Sequence, residues 1–404
     1  MSGQGEKAPE KRACSLYIHI PFCAAFCDYC DFYSIALAPG ENLPDRYIEA
    51  LLFDVEKQLS LFRPGDVPTI YIGGGTPSLL GAAGARRLLG GLEALLPRET
   101  GDGREVTIEA NPESADEPFL RACREGGVTR ISLGVQSFFE PSRRAVHRAG
   151  EGKDLRERLA LASEYYGAGL SVDLITGLPF QDEYRLLKDI EGVLSCGPGH
   201  VSLYALTAEP GTPLNVSALP CPDEADRLWI RGRDALEQAG YAQYEVSNFS
   251  LPGRESRHNI RYWRMENWLG AGPSASGTVI DDETGTGRRF TLPPDAEAYL
   301  AGRAPVLEEN LDRLTLLKES LLMGFRYIEG PDGELFKKRF GGGIAEWIPQ
   351  TLKVWRERGF LAPGKTALTR EGLLFLDLFL IDAFIEIDSH QPAAAIYAQG
   401  QTNP

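Results

Sequence analysis

Six short apolar runs, each followed by a turn and then a helix-forming stretch, constrain this 404-residue chain more than any other feature. The runs are Leu16–Ile20, Thr69–Ile72, Val106–Glu109, Arg130–Val135, Ser171–Ile175 and Val201–Ala205. Short and rich in β-branched residues, they read as strands. Between them, Asp45–Leu61, Leu79–Leu95, Pro118–Glu125, Asp154–Tyr166 and Glu183–Leu194 carry helical patterns. Near-continuous apolar strands alternating with helices predict a parallel sheet and an α/β fold. The residues just after each strand narrow the architecture. Strand one runs into Pro21-Phe22-Cys23, strand two into Gly73-Gly74-Gly75-Thr76-Pro77, and strand three into Glu109-Ala110-Asn111-Pro112. Strand four ends at Gln136-Ser137, strand five carries Asp173 before Thr176-Gly177-Leu178-Pro179, and strand six carries Tyr204. Turn chemistry explains the Gly and Pro residues but not Glu109, Gln136 and Asp173 together. Polar residues repeated at strand C-termini describe one site on one face of a partial (β/α) barrel.

Composition removes whole classes of function. With 42 basic and 57 acidic residues the net charge is −15. A general nucleic-acid binder needs the opposite balance. The segment 1–14 is polar, without the apolar core of a secretory signal, and no run approaches the ~20 apolar residues of a membrane span. The expectation is a soluble, cytoplasmic chain. Of seven cysteines, Cys23, Cys27 and Cys30 fall within eight residues, directly after a strand. In a reducing compartment such a cluster reads as a metal site rather than a disulfide framework. A closed zinc site wants four ligands, and no fourth Cys or His lies at suitable local spacing. Three thiolates suit a [4Fe-4S] cluster with one iron left open for a chelating ligand.

The segment Tyr17-Ile18-His19-Ile20-Pro21-Phe22-Cys23, with its triple cysteine, resembles the radical S-adenosylmethionine (SAM) superfamily. Within it, the chain is similar to the oxygen-independent coproporphyrinogen III oxidase family and its heme-chaperone branch, over roughly residues 15 to 385. The other matching blocks are Gly73–Pro77, Glu109–Pro112, Gly134-Val135-Gln136-Ser137-Phe138, Asp173–Pro179 and Tyr204. The resemblance implies a TIM-like partial barrel in which Cys23, Cys27 and Cys30 hold the cluster and SAM chelates its open iron. It implies that Gly74, Gly75 and Thr76 meet the amino-acid end of SAM, where glycine lets backbone donors come close. Glu109, Gln136, Arg148 and Asp173 would line the rest of the pocket, with Tyr17 and Tyr29 packed beside the ligand. A reduced cluster would need an electron donor.

Two features separate the branches. In the oxidases the cluster motif continues to a further cysteine, where this chain has Phe32 in Cys30-Asp31-Phe32. The first strand also begins near residue 16, without the longer leading segment of the oxidases. Both match the heme chaperones. That branch carries the pattern His258-Asn259-x2-Tyr262-Trp263, associated with heme binding. His258 could ligate iron while Asn259, Tyr262 and Trp263 contact the macrocycle. The expected function is a chaperone that binds heme as cargo and passes it to acceptor hemoproteins. The alternatives are the oxidase reaction or a radical reaction on heme itself.

Further expectations concern the remaining chain. Pro222–Ala239 reads as a helix, Tyr244–Val246 as one more strand, and His258 to Gly277 as an aromatic- and Gly-rich stretch. Helices at Leu311–Met323, Ile344–Arg358 and Arg370–Phe384, with a short extended pair around Gly359–Leu368, predict a mainly helical, winged-helix-like C-terminal domain. The expected division is a tail over 1–14, a barrel over 15–250, a connecting segment over 251–290, a helical domain over 291–390 and a loose tail over 391–404. Gly359-Phe360-Leu361-Ala362-Pro363-Gly364-Lys365-Thr366 fits the phosphate-loop pattern by letter. It lacks a preceding strand and a following helix, so it reads as a wing hairpin. Arg143-Arg144 reads as a solvated helix face.

Overall fold

A computed structural model describes residues 13–37, 43–97, 103–150 and 152–389. Residues 1–12 of the expected leading tail and the whole expected tail over 391–404 lie outside these. Ala13 and Cys14, expected in the leading tail, belong to the fold: Ala13 bridges Asp66, and the Cys14 amide donates to the Asp66 carbonyl at 3.0 Å.

The alternating runs become β1 (Ser15–Ile20), α1 (Leu43–Phe62), β2 (Thr69–Gly74), α2 (Gly81–Leu95), β3 (Glu105–Ala110), α3 (Glu117–Glu125) and β4 (Arg130–Gln136). They continue as α4 (Gly152–Tyr166), β5 (Leu170–Thr176), α5 (Glu183–Leu194), β6 (His200–Ala205) and α6 (Pro222–Gln238). β1 to β6 pair in sequence order, all parallel. Register follows the apolar pattern: Ile18 lies opposite Ile72, and Ile72 opposite Ile108. Odd and even residues of each strand face opposite ways. Leu16, Ile18, Ile70, Ile72, Ile108, Ile131, Leu133, Val172, Leu174 and Leu203 are buried against the helices in one core. The alternate positions, among them Tyr17, His19, Tyr71, Glu109, Ser132 and Asp173, face the barrel interior. This is the predicted α/β partial barrel.

The sheet does not end with the barrel expected over 15–250 but runs through the expected connecting segment and into the expected helical domain. It continues through β7 (Asn248–Ser250), antiparallel to β6, and after α7 (Arg257–Trp263) through β8 (Trp268–Ala271), parallel to β1. β9 (Ser276–Asp281), β10 (Thr286–Thr291) and β11 (Leu307–Leu311) extend that edge antiparallel, and with the two-residue strand Ala242–Gln243 paired to β7 they complete a 12-stranded sheet among the described residues. The predicted strand Tyr244–Val246 is instead a turn between Ala242–Gln243 and β7, with Glu245 bridged to Tyr327. Asp312 then caps α8 (Arg313–Gly324) by accepting the Thr315 amide, and a second apolar core begins. α9 (Gly333–Phe340), α10 (Pro349–Glu357) and α11 (Leu376–Ser389) pack round Phe325, Trp355 and Phe379. The predicted helix Ile344–Arg358 breaks at Ile348, because Pro349 cannot continue the preceding turn. Residues 359–366 follow a helix and lead into the Leu361–Leu368 bridge. That is hairpin geometry with no phosphate cradle.

Arg143 corrects an expectation. It is buried, donating to the carbonyls of Val135 and Ser137 at 2.6 and 3.2 Å and pairing with Glu113 at 3.0 Å. Its neighbour Arg144 is exposed and pairs with Glu140.

Candidate functional site

The C-terminal ends of β1 to β6 open into a cavity of about 760 Å³. Its lining includes Cys23, Cys27 and Cys30 on one side and Gly74, Gly75, Thr76, Glu109, Gln136, Arg148 and Asp173 on the other. The cluster loop leaves β1 and is clipped at its base. Ile35 N–H donates to Pro21 O at 2.6 Å and Leu37 N–H to Cys23 O at 3.0 Å. Its far side is held by three consecutive residues. The Asp28 amide donates to Val146 O at 3.1 Å, the His147 ring meets the Asp28 carboxylate at 2.8 Å, and Arg148 Nη1 reaches Cys27 Sγ at 3.6 Å.

The glycine run after β2 is required by crowding. A side chain at Gly75 would meet the Phe22 carbonyl oxygen at 2.6 Å, and one at Gly74, which has φ +113°, would meet the His19 ring at 2.6 Å. Freed of side chains, this segment lies against the neighbouring strand ends. The Gly74 amide donates to Glu109 Oε2 at 3.1 Å, and Tyr71 Oη to Glu109 Oε1 at 2.7 Å. Burial pushes the Glu109 carboxyl up to about 7, against the opposing pull of the Tyr71 hydrogen bond. Burial likewise raises Asp173, which accepts from Ser132 Oγ at 3.1 Å. Gln136 holds φ +67° at a bulge in the pairing of β4 with β5. A left-handed, non-glycine residue at a strand end is strain of the kind that concentrates in working sites.

Asn111, quoted in its motif but given no role from sequence, ties the two sides together. Its amide donates to Thr76 Oγ1 at 3.2 Å, and its Oδ1 accepts from Arg148 Nη2 at 2.7 Å. The signal was its place one residue past β3. Tyr17, expected beside the ligand, does not line the cavity. It sits one layer below, with its hydroxyl 3.0 Å from His19 Nδ1 and its ring stacked on Tyr71. Tyr29 lines the cavity as expected.

The donor set fits an open iron–sulfur cluster and a cationic ligand. Among the described residues, no three His, Cys, Asp or Glu side chains converge on one ion. Three thiols lining one cavity suit a cluster that takes one thiolate per iron. Gln136 Oε1 and Arg148 Nε, on residues lining the cavity, are buried without a protein partner. The half-buried carboxyls of Glu109 and Asp173 line the same cavity, and a cationic ligand there would favour their ionised forms.

The structure places His258 elsewhere. It lies on α7, 1% exposed, below the N-terminal ends of β2 and β3. Its Nδ1 meets Thr69 Oγ1 at 2.9 Å, its amide donates to Glu105 Oε1 at 2.9 Å, and its ring packs on Tyr71 and Tyr262. Burial pulls its pKa down to about 3, so the ring is neutral. Its Nε2 has no partner. Asn259, Tyr262 and Trp263 are half-buried on the same helix, and none lines the cavity.

Residues 17–191 match the family model of the radical SAM superfamily. The Escherichia coli heme chaperone HemW is 36% identical over 318 residues, covering 78% of this chain and 83% of that protein. The chain belongs to the HemW family of radical SAM proteins. The Bacillus subtilis heme chaperone HemW is 31% identical, with 89% of this chain and 96% of that one covered. The bovine mitochondrial radical S-adenosyl methionine domain-containing protein 1 is 34% identical over 94% of this chain and 89% of its own. The Escherichia coli coproporphyrinogen III oxidase structure superposes with a TM-score of 0.78 at 22% identity, over 93% of this chain and 91% of that one. At that identity the likeness is one of fold. No helix among the described residues is long and apolar enough to cross a membrane.

Proposed function

We propose that this chain is a heme chaperone: it binds heme and passes it to acceptor hemoproteins in the cytoplasm, holding a [4Fe-4S] cluster and exchangeable SAM. Kinship with HemW over most of the chain carries this reading. The site supports it at one position. Phe32 stands where the oxidases have their further cysteine, and its ring is 63% exposed while lining the cavity.

Cys23, Cys27 and Cys30 would hold the cluster, whose open iron supplies a chelation point and, when reduced by an electron donor, one electron to a bound sulfonium. The protein contributes orientation and charge. The Gly74–Thr76 backbone and Glu109 would receive the amino-acid end of SAM, Asp173 the ribose hydroxyls, and Arg148 fixes the loop bearing Cys27. A cation in the cavity draws Glu109 and Asp173 into their charged forms.

Heme contact is assigned to α7. His258 is neutral and its Nε2 is unpartnered, which is the ligating form. Because the ring is closed off, ligation requires α7 to swing from the barrel floor, breaking its bonds to Glu105 and Thr69. An anaerobic heme titration of the cluster-loaded chain, read at the Soret band beside His258→Ala, tests both parts. One-to-one binding weakened by the substitution is the expected result. Binding that ignores it moves the heme site. No binding, with turnover of coproporphyrinogen, gives the chain to the oxidases.

A further inference from the structure

Helix α11 covers the second core with Leu376, Phe379, Leu380, Ala383 and Ile387, all buried. Its opposite side is also apolar. Leu378, Ile381 and Ile385 are 57%, 53% and 64% exposed, and Leu374, in the turn before it, continues the row at 41%. Positions 374, 378, 381 and 385 recur at i, i+4, i+7 and i+11, a single stripe about 16 Å long. Helices apolar on two sides are ordinarily sandwiched, and the 4-3-4 spacing is that of a helix–helix seam. Scattered exposed apolar residues need no explanation, but an aligned row of them marks an interaction site.

The charges beside the stripe say what fits it. Residues 376–389 contain Asp377, Asp382, Glu386 and Asp388 and no Lys or Arg. Asp382 accepts Trp355 Nε1 at 2.8 Å, and Glu386 caps α10 by accepting the Gln350 and Thr351 amides at 2.8 and 2.7 Å. On the other flank Asp388 pairs with Lys318 at 2.6 Å, and Asp377 is exposed. We infer that this stripe docks an amphipathic helix of a partner protein, one with Leu, Ile or Phe at matching spacing and Lys or Arg on its flanks. A second copy is disfavoured, because antiparallel two-fold pairing sets the Asp377–Asp388 flank against itself. Helices that lie on anionic bilayers carry the basic residues this one lacks. Residues 390–404 follow directly but also contain no Lys or Arg.

The test uses the full chain and a labelled synthetic helix with Leu at i, i+4, i+7 and i+11 and Lys on both flanks. A twin peptide carries Glu in place of Lys. The Lys peptide is expected to bind saturably, with affinity falling as salt rises, and the Glu peptide is not. Ile381→Glu, and separately Leu378→Gln with Ile385→Gln, should weaken binding at least ~10-fold, about the loss of one seated anchor. These side chains are exposed, so melting temperature and iron content should not change. The inference fails if the Lys peptide does not bind, or binds wild type and variants alike. It also fails if sedimentation shows a dimer abolished by Ile381→Glu. Flotation of the chain on anionic vesicles through these residues would overturn it too. So would tight binding that appears only after removal of 390–404, which would give the stripe to that segment.

Discussion

The two ends of the barrel interior are both polar, yet only one is open. At the C-terminal end, Glu109, Asp173, Gln136 and Arg148 surround a cavity, with strained backbone at Gln136. At the N-terminal end, polar groups mostly meet one another. His200 lies between Ser171 Oγ and Tyr244 Oη at 2.8 Å each, and Glu105 accepts the Arg257 and His258 amides. The residue types are similar at both ends. The difference lies in whether they border a cavity, since buried atoms without a protein partner occur at both ends (Gln136 Oε1 and Arg148 Nε at one, His258 Nε2 at the other), and an interior built from alternate strand positions produces both outcomes. A polar residue facing into a barrel is therefore evidence of a site only when it borders a cavity.

Substitutions can break that contrast from either end. The largest effect is expected at the open end: Cys27→Ala should remove the cluster, read as lost iron and lost visible absorbance, with the fold intact by circular dichroism. Full iron retention would remove the cluster assignment. Next, Gly74→Ala places a methyl against the His19 ring at a φ of +113° and should weaken SAM binding by at least ~10-fold, or about 1.4 kcal/mol. Equilibrium dialysis of the cluster-loaded chain measures this, and unchanged affinity would mean the cradle is misplaced.

The closed end should respond in stability instead. His200→Ala leaves Ser171 and Tyr244 facing a buried gap, and should lower stability by about 2–3 kcal/mol in urea unfolding while iron content and SAM affinity hold. If His200→Ala instead abolished SAM binding at unchanged stability, the two ends would not be separable. The same comparison sharpens the role of α7: His258→Ala at the floor should destabilise whether or not it also weakens heme.

Much of this was legible from the residues. The six parallel strands begin and end within two residues of their apolar runs, and α5 spans its pattern without change. All but Tyr17 of the expected SAM-pocket residues line the cavity. Strands β8 to β11 were not legible. β11 (Leu-Glu-Glu-Asn-Leu) is an exposed edge strand whose polar residues need no apolar alternation. Gly270 and Gly277 are strand residues because the chains cross too closely for a side chain: one at Gly270 would meet the Ser276 carbonyl oxygen at 2.4 Å. The seclusion of His258 was also hidden, since a motif gives residue types and not which end of the barrel they reach. Asn111 and the His147–Asp28 contact depend on loops meeting across long sequence separations, which local pattern does not encode.

The smallest predicted effect tests the open end through its charge. Burial holds Glu109 at about 7 in the folded ligand-free chain, above the 4.5 of an unperturbed glutamate. Between these values the folded state binds more protons than the unfolded one, so ionising Glu109 lowers stability as pH rises from 4.5 through 7. The loss is complete above the folded value. Because the side chain borders a cavity that water enters, it should amount to no more than about 2 kcal/mol. Glu109→Gln cannot ionise, and should flatten this part of the pH profile in urea unfolding. Glu245, buried and also raised to about 7, contributes a similar slope that Glu109→Gln leaves in place. SAM provides the decisive arm. A cation in the cavity favours the ionised carboxylate, so saturating SAM should oppose the decline in wild type and do so less in Glu109→Gln. If SAM changed both profiles equally, Glu109 would not face the bound cation, and the open end would have to be redrawn around Asp173 alone.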